Sequence, residues 1–309
     1  MNYGSCFPIP GEIKTKCLSV ALFQMPVKKA VTKLDDIPTN VAEISKWMRR
    51  TVIGLPGVDL IVTPETALHG FSPTAHNYPV TLDDDNIAQL KAVCKELRVW
   101  LVFGAYIDLK NGEPVQNAAI TINDKGEIAN LYTKTNPWNP IEPTYPGSEI
   151  KVFDGPKGSR IATIICSDGD YIDTWKEAAY KKANVIIRIS AYMTPYERVY
   201  ETTNKAGAYF NKCYVLSTNE CGLDDAYCWF GNSMAVNPDG DIYAQAPLQA
   251  PYTLKCDVYP GLADAIQKQA LMGDLNYLGN HRGGTNPNAA HGKEMGFDKS
   301  LYDFKKEEK

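Results

Sequence analysis

Hydrophobic positions along the chain follow two spacings in turn, which predicts alternating strands and helices. Three short runs are continuously apolar, as expected of strands buried on both faces of a sheet: "CLSVALFQ", "VDLIVTPE" and "VWLVFGAYI". Between them, "NVAEISKWMRR" places Val41, Ile44 and Met48 on one helical face, and "DDNIAQLKAVCKELR" repeats that spacing. This order of elements favours an α/β fold built from parallel units.

The same alternation returns in the second half of the chain. Strands are predicted at "RIATIIC", "NVIIRIS" and "CYVLSTN", with helices at "DTWKEAAYKKA" and "YERVYETTNKAGAYFNK". Turn signals at "DKG" and at "NPDG" predict two hairpins. No linker or composition shift divides these elements, so we predict one domain over residues 1–258. A helix-like segment and a Gly- and Asn-rich stretch then follow. We expect residues 259–309 to form a C-terminal arm that packs on the domain or on a neighbouring subunit.

Composition and charge narrow the class of protein. The chain has 309 residues, of which 44% are hydrophobic and 22% charged, which is typical of a globular protein. The net charge of −4, with no long basic run, gives no support to a nucleic-acid surface. The longest apolar run is far shorter than the roughly 20 residues that a membrane helix needs. The apolar patch near the start predicts a core strand rather than a signal peptide, and hence a cytoplasmic protein.

The 8 cysteines are scattered, with no C-x-x-C pair, and only 4 histidines accompany them, so no zinc site is predicted. In a reducing compartment most of these thiols are expected to be small buried hydrophobes. Cys166 differs because it ends the apolar run "RIATIIC" just before the turn residues "SDG". It is either a core thiol or a nucleophile held at an exposed turn.

Two further strand ends carry residues that would suit a reactive thiol. Glu65 follows "LIVTP" and Lys134 follows "ANLYT". Singly, each has an ordinary explanation as a surface charge. Together, Glu65 can take the proton of the Cys166 thiol and later protonate a leaving amine. Lys134 and the backbone N–H of Ser167 can stabilise the negative oxygen of a tetrahedral intermediate.

Glu65, Lys134 and Cys166, in that order at three strand ends, resemble the Glu-Lys-Cys triad of the nitrilase superfamily, the carbon–nitrogen hydrolases. The resemblance spans roughly residues 15 to 285 and is strongest to the aliphatic amidase and formamidase branch. The segments that carry it are "YTKTNPWNPIEPTYPG" with Trp138, Glu142 and Tyr145, "GPKGSRIATIICSDGDY", the pair Tyr192-Met193, and "GNHRGGT" with His281 and Arg282.

The resemblance implies a four-layer α-β-β-α sandwich and the hydrolysis of a small aliphatic amide through a cysteine thioester. It implies Glu65, Lys134 and Cys166 as the catalytic residues, with Glu142 positioning the substrate or the hydrolytic water. Trp138, Ser167 and Tyr192 are the further residues predicted to bind substrate or assist. It implies no metal and no organic cofactor. The implied partners are an amide substrate, water and further copies of this chain, since members of this branch pair through the sheet edge and helices beside the nucleophile.

Several positions depart from the pattern of that branch. Thr66 stands where a tyrosine is usual, Ser167 where an acid is usual, and Asn139 where a cysteine is common. Because these positions line the pocket by resemblance, the substrate does not transfer safely. A carbamoyl compound or an ω-amide metabolite is an alternative substrate. A protein of another class, a silent assembly or ligand-binding protein or a redox thiol protein, is the remaining alternative.

Four other conspicuous residues have simpler interpretations. We expect His69 and His76 to shape the loop after Glu65 rather than to contact substrate. We expect Trp175 to pack in the core. Arg188, unusual inside a strand, predicts a structural ion pair, with an interface or a substrate carboxylate as the second interpretation.

Overall fold

The computed structural model describes residues 16–139, 141–223 and 227–269. Within them the helices are α1 (Ile37–Gly54), α2 (Asp85–Leu97), α3 (Ile172–Tyr180), α4 (Glu197–Asn211) and α5 (Pro260–Gln269). The strands are β1 (Leu18–Gln24), β2 (Leu60–Val62), β3 (Trp100–Ile107), β4 (Gln116–Ile122), β5 (Ile128–Thr133), β6 (Val152–Asp154), β7 (Arg160–Ile165), β8 (Val185–Ser190), β9 (Tyr214–Asn219), β10 (Cys221–Leu223), β11 (Cys228–Phe230), β12 (Met234–Val236), β13 (Ile242–Gln245) and β14 (Tyr252–Val258).

The first sheet has the strand order β14-β1-β2-β3-β4-β5. Its middle strands β1, β2 and β3 are parallel, as the strand–helix alternation predicts. Side chains alternate across β1, so that Val20 and Leu22 face the second sheet while Ala21 and Phe23 face helices α1 and α2. Both faces are therefore buried, which explains why these strands read as continuous apolar runs.

Helices α1 and α2 cover the outer face of the first sheet. The predicted stripe Val41, Ile44 and Met48 of α1 is fully buried there. Each such side chain stabilises the fold by about 1.5–3 kcal/mol relative to exposure. Helix α2 begins where the Asp84 side chain accepts a hydrogen bond from the N–H of Asn86, an N-cap that ties its first turn.

The second sheet has the order β13-β12-β9-β8-β7-β6, with β7, β8 and β9 parallel. Helices α3 and α4 cover its outer face through Trp175, Ala178, Tyr200 and Ala208. Inner-face residues of both sheets share one hydrophobic cluster. The layers therefore run helix, sheet, sheet, helix, which confirms the predicted four-layer α-β-β-α sandwich.

Both predicted hairpins are present, and the first has a consequence for function. Strands β4 and β5 are antiparallel to each other, as are β12 and β13 around Asp239 and Gly240. Since β3 and β4 are also antiparallel, β5 runs in the same direction as β2 and β3. The carboxyl ends of β2 and β5 thus lie at one edge of the first sheet.

The described part of the predicted C-terminal arm is helix α5, which packs on the domain. Leu262, Ala263 and Ile266 are buried in the central cluster, and Arg160 pairs with Asp264 at 2.5 Å. His281 and Arg282 lie outside the described residues. Among the helices that are described, none has both the length and the apolar character of a membrane span.

Candidate active site

Three strand ends from the two sheets meet where the sheets face each other. Glu65 follows β2 and Lys134 follows β5 on the first sheet, and Cys166 follows β7 on the second. Glu65 and Lys134 are fully buried, while Cys166 is half-buried. The three residues that the sequence singles out from distant positions are therefore brought together.

The Lys134 ammonium is held between two carboxylates. Its Nζ donates to Glu65 Oε1 at 2.8 Å and to Glu142 Oε2 at 2.6 Å. Asn117 on β4 donates to the same two carboxylates, at 2.8 Å to Glu65 Oε1, which it shares with Lys134, and at 2.6 Å to Glu142 Oε1. The four residues form one buried network, which we call the lysine cluster.

Glu142 has further bonds that fix it to its own loop. The backbone N–H of Trp138 donates to its Oε2 at 3.1 Å and the Thr144 hydroxyl to its Oε1 at 3.3 Å. Each carboxylate oxygen thus accepts two hydrogen bonds within the described residues. This bonding makes Glu142 a support for Lys134, while its predicted contact with substrate or water stays a prediction.

The charges in the lysine cluster shift its pKa values in different directions. Burial would lower the pKa of Lys134, but Glu65 and Glu142 raise it well above its usual range. Burial would raise the pKa of Glu142, but Lys134, Asn117 and the Trp138 N–H lower it. For Glu65, burial raises the pKa, Lys134 opposes the rise and Glu142 adds to it. Lys134 therefore stays charged, and Glu65 is the carboxylate better disposed to accept a proton.

The second oxygen of Glu65 points to the opposite sheet. Its Oε2 accepts a hydrogen bond of 2.9 Å from the N–H of Ala191, which follows β8. The same N–H and the Glu65 carboxylate both hydrogen-bond with the Cys166 thiol. Burial raises the pKa of this thiol well above its usual range, Glu65 adds to the rise, and Lys134 and Arg188 oppose it. The thiol is accordingly protonated at rest and lies beside a carboxylate that can take its proton.

Cys166 begins a short 3₁₀ turn, Cys166–Asp170, in a backbone conformation that is unusual for its residue type. Its φ angle is +48°, in the left-handed region that costs a non-glycine residue about 1 kcal/mol or more. Arg188 holds this conformation by donating to the Cys166 carbonyl from Nε at 3.0 Å and from Nη2 at 2.7 Å. Gly169 allows the close approach, since a Cβ there would collide with the Arg188 guanidinium. The sequence signal "SDG" thus marks a turn wrapped around a buried arginine.

Asp168 joins the Cys166 turn to the chain beyond Lys134. Its buried carboxylate accepts hydrogen bonds from the Tyr132 hydroxyl at 2.7 Å and the Thr135 hydroxyl at 2.9 Å. It also accepts from the backbone N–H of Asn136 at 2.8 Å and of Ile165 at 2.9 Å. Asp168 and Asn117 are not singled out by the sequence reasoning. A polar residue inside or directly after an apolar strand is the signal that could have found both.

Cys166 opens onto a cavity of ≈ 180 Å³. The described residues that line it are Trp138, Cys166, Ser167, Asp170, Ala191, Tyr192, Met193, Tyr196 and Val199. Trp138, Ser167 and Tyr192, predicted to contact substrate, therefore all border the cavity. The Ser167 hydroxyl donates to the Asn136 carbonyl at 2.7 Å. The N–H of Ser167 lies at the start of the 3₁₀ turn, where a helix offers its first N–H groups no internal acceptor.

The conspicuous basic residues His69 and Arg188 are both buried and bonded within the fold. The ring of His69 is fully buried, with Nδ1 accepting from the Tyr106 N–H and Nε2 donating to the Tyr78 carbonyl, each at 3.2 Å. Burial lowers the pKa of His69 to about 4, so the ring is neutral. Arg188 is fully buried and pairs with Asp170 at 3.3 Å, as its structural interpretation predicts. Neither points to a role in binding an anionic substrate group.

Trp175 packs in the core, as expected. Its side chain is 3% exposed, and its ring lies over the Arg188 guanidinium at 5.8 Å. Its indole N–H donates to the Gly169 carbonyl at 2.8 Å, which adds a second support to the 3₁₀ turn that begins at Cys166. His76 lies beside the Tyr106 ring in the loop after Glu65 and does not line the cavity.

Comparison with known proteins decides the family. The sequence model of the carbon–nitrogen hydrolase family matches residues 19–267. This chain belongs to the carbon–nitrogen hydrolase family. It is 37% identical over 272 residues to the formamidase of Helicobacter acinonychis, covering 85% of this chain and 80% of that protein. It is 36% identical over 257 residues to a formamidase of Bacillus cereus, covering 82% and 76%. This carbon–nitrogen hydrolase is thus an amidohydrolase of the amidase and formamidase branch of the nitrilase superfamily.

Solved structures agree on the fold of this carbon–nitrogen hydrolase. A branch 10 member of the nitrilase superfamily from Saccharomyces cerevisiae superposes with a TM-score of 0.75 at 20% identity, covering 85% of this chain and 97% of that one. An amidase from Nesterenkonia sp. gives a TM-score of 0.70 at 20% identity, covering 80% and 92%. At this level of identity the likeness extends to the sandwich and not to the substrate.

Proposed function

We propose that this carbon–nitrogen hydrolase cleaves a small aliphatic amide, formamide or a short-chain homologue, to the carboxylic acid and ammonia through a thioester on Cys166. The observation that carries the proposal is the Glu65 carboxylate. It is bonded to Lys134 and to the Ala191 N–H and acts on a protonated thiol that opens onto a small cavity. The formamidases among its relatives support the same substrate class.

The first half of the reaction forms the thioester. As Sγ of Cys166 bonds to the amide carbon, its proton passes to Glu65, whose pKa burial raises toward that task. The carbonyl oxygen becomes negative and lies between the Lys134 ammonium and the Ser167 N–H. Glu65 then returns the proton to the amide nitrogen, the carbon–nitrogen bond breaks, and ammonia leaves.

The second half releases the acid. Glu65, again a carboxylate, takes a proton from water as the water oxygen attacks the thioester carbon. The same two donors stabilise the second tetrahedral oxyanion. The carbon–sulfur bond breaks, Glu65 gives its proton to the departing Cys166 sulfur, and the carboxylic acid diffuses out. The protein ends in the protonation state in which it began.

Glu142 and Asn117 act as positioning residues in this scheme. Lys134 must present its ammonium to an oxyanion that exists only during the reaction, and such donors act best when they are already oriented. Its bonds to Glu65 and Glu142 set that orientation, and Asn117 braces both carboxylates. The high pKa of Lys134 keeps its proton in place throughout.

The decisive test is Cys166→Ala, compared with the wild type on formamide, acetamide and propionamide. We expect loss of ammonia release by at least about 10⁴-fold, because no other group can form the thioester. The matched control is Cys17→Ala, which removes an exposed thiol at the edge of the fold. Circular dichroism and thermal melting establish that both variants remain folded.

The same assay separates the proposal from its alternatives. Carbamoyl compounds and ω-amides belong in the panel, and activity confined to them would replace the simple amide as substrate. Folded Cys166→Ala that still hydrolyses amides would contradict the thioester mechanism. Mass spectrometry after a brief exposure to acrylamide adds a second readout. Single, rapid modification at Cys166 fits a primed nucleophile, while slow or uniform labelling of the cysteines favours a redox or silent protein.

We propose further that two copies of this chain pair through helices α3 and α4. Exposed apolar side chains gather there, including Tyr171, Ile172 and Phe210, which are 54%, 64% and 52% exposed. Ile172 and Phe210 line one continuous depression, so the patch is contiguous. We expect a dimer or larger assembly by light scattering, and dissociation in Ile172→Glu combined with Phe210→Glu. A wild-type monomer would contradict this.

A further inference from the structure

One charged side chain stands out among the described residues that line the cavity. Asp170 ends the 3₁₀ turn that Cys166 begins, and the other lining residues carry no carboxylate, ammonium or guanidinium group. Resting on the function proposed above, we propose that Asp170 selects amides whose short acyl chain ends in a protonated amine. Within the small amides proposed above, the preferred substrates are therefore ω-amino or α-amino acid amides, with plain aliphatic amides hydrolysed less efficiently.

The Asp170 carboxylate is held in a defined orientation. The Tyr192 hydroxyl donates toward both of its oxygens, at 2.7 Å each, and Arg188 Nη2 lies at 3.3 Å from Oδ1. Asp170 also borders a second depression on the α3–α4 face. Tyr192 lines the cavity of Cys166 and not that depression, so its hydroxyl ties the Asp170 carboxylate to a residue of the cavity wall.

Arg188 does not use up the hydrogen-bonding capacity of this carboxylate. Its Nη2 makes shorter contacts with the Cys166 carbonyl at 2.7 Å and the Tyr192 hydroxyl at 2.8 Å than with Asp170. Its Nη1 is taken by Thr203 and Asn204. An ionised carboxylate accepts about four hydrogen bonds, and the Asp170 side chain is 37% exposed. Acceptor sites therefore remain for a ligand.

The rest of the lining suits a cation as well. Trp138, Tyr192 and Tyr196 present aromatic rings to the cavity. Aromatic faces attract an ammonium group through their quadrupole, and a carboxylate at the same wall adds a charge-assisted hydrogen bond. An alkylammonium remains protonated at neutral pH. A substrate carboxylate would instead meet Asp170 as a like charge, which disfavours ω-amides of dicarboxylic acids.

The test compares matched substrates on the full chain at pH 7. Butyramide and β-alaninamide have the same number of heavy atoms and differ in a terminal methyl against a terminal ammonium; succinamate adds a terminal carboxylate. We expect wild-type kcat/KM for β-alaninamide to exceed that for butyramide by about 10-fold or more, as for a hydrogen bond to a charged group, with succinamate slowest. In Asp170→Asn the ratio of the two kcat/KM values should fall to about 1, mainly through a higher KM for β-alaninamide.

The matched control is Asp173→Asn, which removes the same charge from an exposed residue three positions on, outside the cavity lining. It should keep the wild-type preference. The inference is overturned if the wild type hydrolyses butyramide as well as β-alaninamide, or if Asp170→Asn slows both substrates equally, which a purely structural role predicts. It is also overturned if formamide hydrolysis proceeds while β-alaninamide neither reacts nor competes. Absence of hydrolysis with every amide, formamide included, would instead overturn the proposed function itself.

Discussion

Two buried cations flank Cys166, and the two sheets neutralise them in opposite ways. Lys134, on the first sheet, contacts two carboxylates at 2.8 and 2.6 Å. Arg188, on the second sheet, makes its shortest bonds to neutral groups, above all the Cys166 carbonyl. Among the described residues, its carboxylate partner is Asp170, at 3.3 Å. The first arrangement, the lysine cluster, is a network of opposite charges. The second is a clamp, in which a buried guanidinium holds a backbone carbonyl.

This difference separates two tasks that the proposed thioester mechanism requires. A group that stabilises an oxyanion has to remain protonated and oriented, and the carboxylates around Lys134 provide both. A group that holds a strained turn has to satisfy a carbonyl from a fixed direction, and the planar fork of Arg188 does so. Cys166, the proposed nucleophile, lies between the two cations.

Removing the ammonium should have the largest effect. Lys134→Met leaves Glu65 and Glu142 facing each other without a cation, so both carboxyl pKa values rise and an oxyanion donor is lost. We expect kcat/KM on amides to fall by about 10³-fold or more. The free energy of unfolding should fall by about 3–5 kcal/mol, the cost of breaking a buried pair. Steady-state kinetics and urea denaturation measure the two effects.

The control for Lys134 is Lys46→Met, which removes the half-exposed partner of Glu43 on α1. A surface pair of this kind contributes about 0–1 kcal/mol. Activity should be unchanged there. Were Lys134→Met to retain kcat/KM within tenfold of the wild type, the lysine cluster would have no part in the reaction.

Replacing the clamp while keeping its charge should have an intermediate effect. In Arg188→Lys, one ammonium cannot grip the Cys166 carbonyl from two nitrogens and still reach Thr203 and Asn204. We expect about 2–3 kcal/mol lower stability from unsatisfied buried groups and a 10- to 100-fold lower kcat from a displaced nucleophile. Denaturation curves and a KM-against-kcat comparison with Arg188→Met test this. Full recovery by lysine would mean that charge alone matters, and the two cations would not differ.

Neutralising the Glu142 carboxylate should shift the pH profile as well as lower the rate. Glu142 raises the pKa of Glu65, so Glu142→Gln lowers that pKa. Because Glu65 must be ionised to take the thiol proton, the acid limb of kcat/KM should move to lower pH. We expect a plateau about 10- to 100-fold below the wild type. A profile of kcat/KM measured from pH 4 to 9 shows the direction in which the acid limb moves. A shift to higher pH would contradict the role given to the lysine cluster.

Much of this organisation is readable from the chain alone, because strands buried on both faces announce themselves as apolar runs. The polar residues that end such runs, Glu65, Lys134 and Cys166, therefore stand out. The carboxyl-end rule places such residues at the functional edge of each sheet. The packing of the two sheets then brings Cys166 to Glu65 and Lys134. The hairpin that orients Lys134 follows from the same pattern, whereas the four-layer order follows from the family resemblance.

The sequence shows where other polar residues stand but not what they do, because their roles depend on contacts between segments that are far apart in the chain. Asn117 sits inside an apolar strand, and Asp168 looks like one more turn residue. Their bonds to Glu65, Glu142, Tyr132 and Thr135 exist only once distant segments have packed. Asp170 was missed for the same reason, since its orientation depends on Tyr192 from another strand end.

The smallest effect should come from His69, a third buried base, which stays neutral and so sharpens the contrast with both cations. Its pKa falls to about 4 from an ordinary value near 6.5 because burial disfavours the charged ring. Below pH 6.5 the unfolded chain binds a proton that the folded chain refuses, so stability falls as the pH drops toward 4. Between pH 7 and 4.5 this group costs about 2–3 kcal/mol, by the conversion of 1.36 kcal/mol per pKa unit. His69→Gln keeps an acceptor for the Tyr106 N–H and a donor for the Tyr78 carbonyl, so it should be less sensitive to acid, whereas the half-buried His76→Gln should behave as the wild type. Urea denaturation of the wild type and the two variants at pH 7 and 4.5 measures the loss of unfolding free energy in each. An equal loss in all three would show that the His69 ring is protonated in the folded protein.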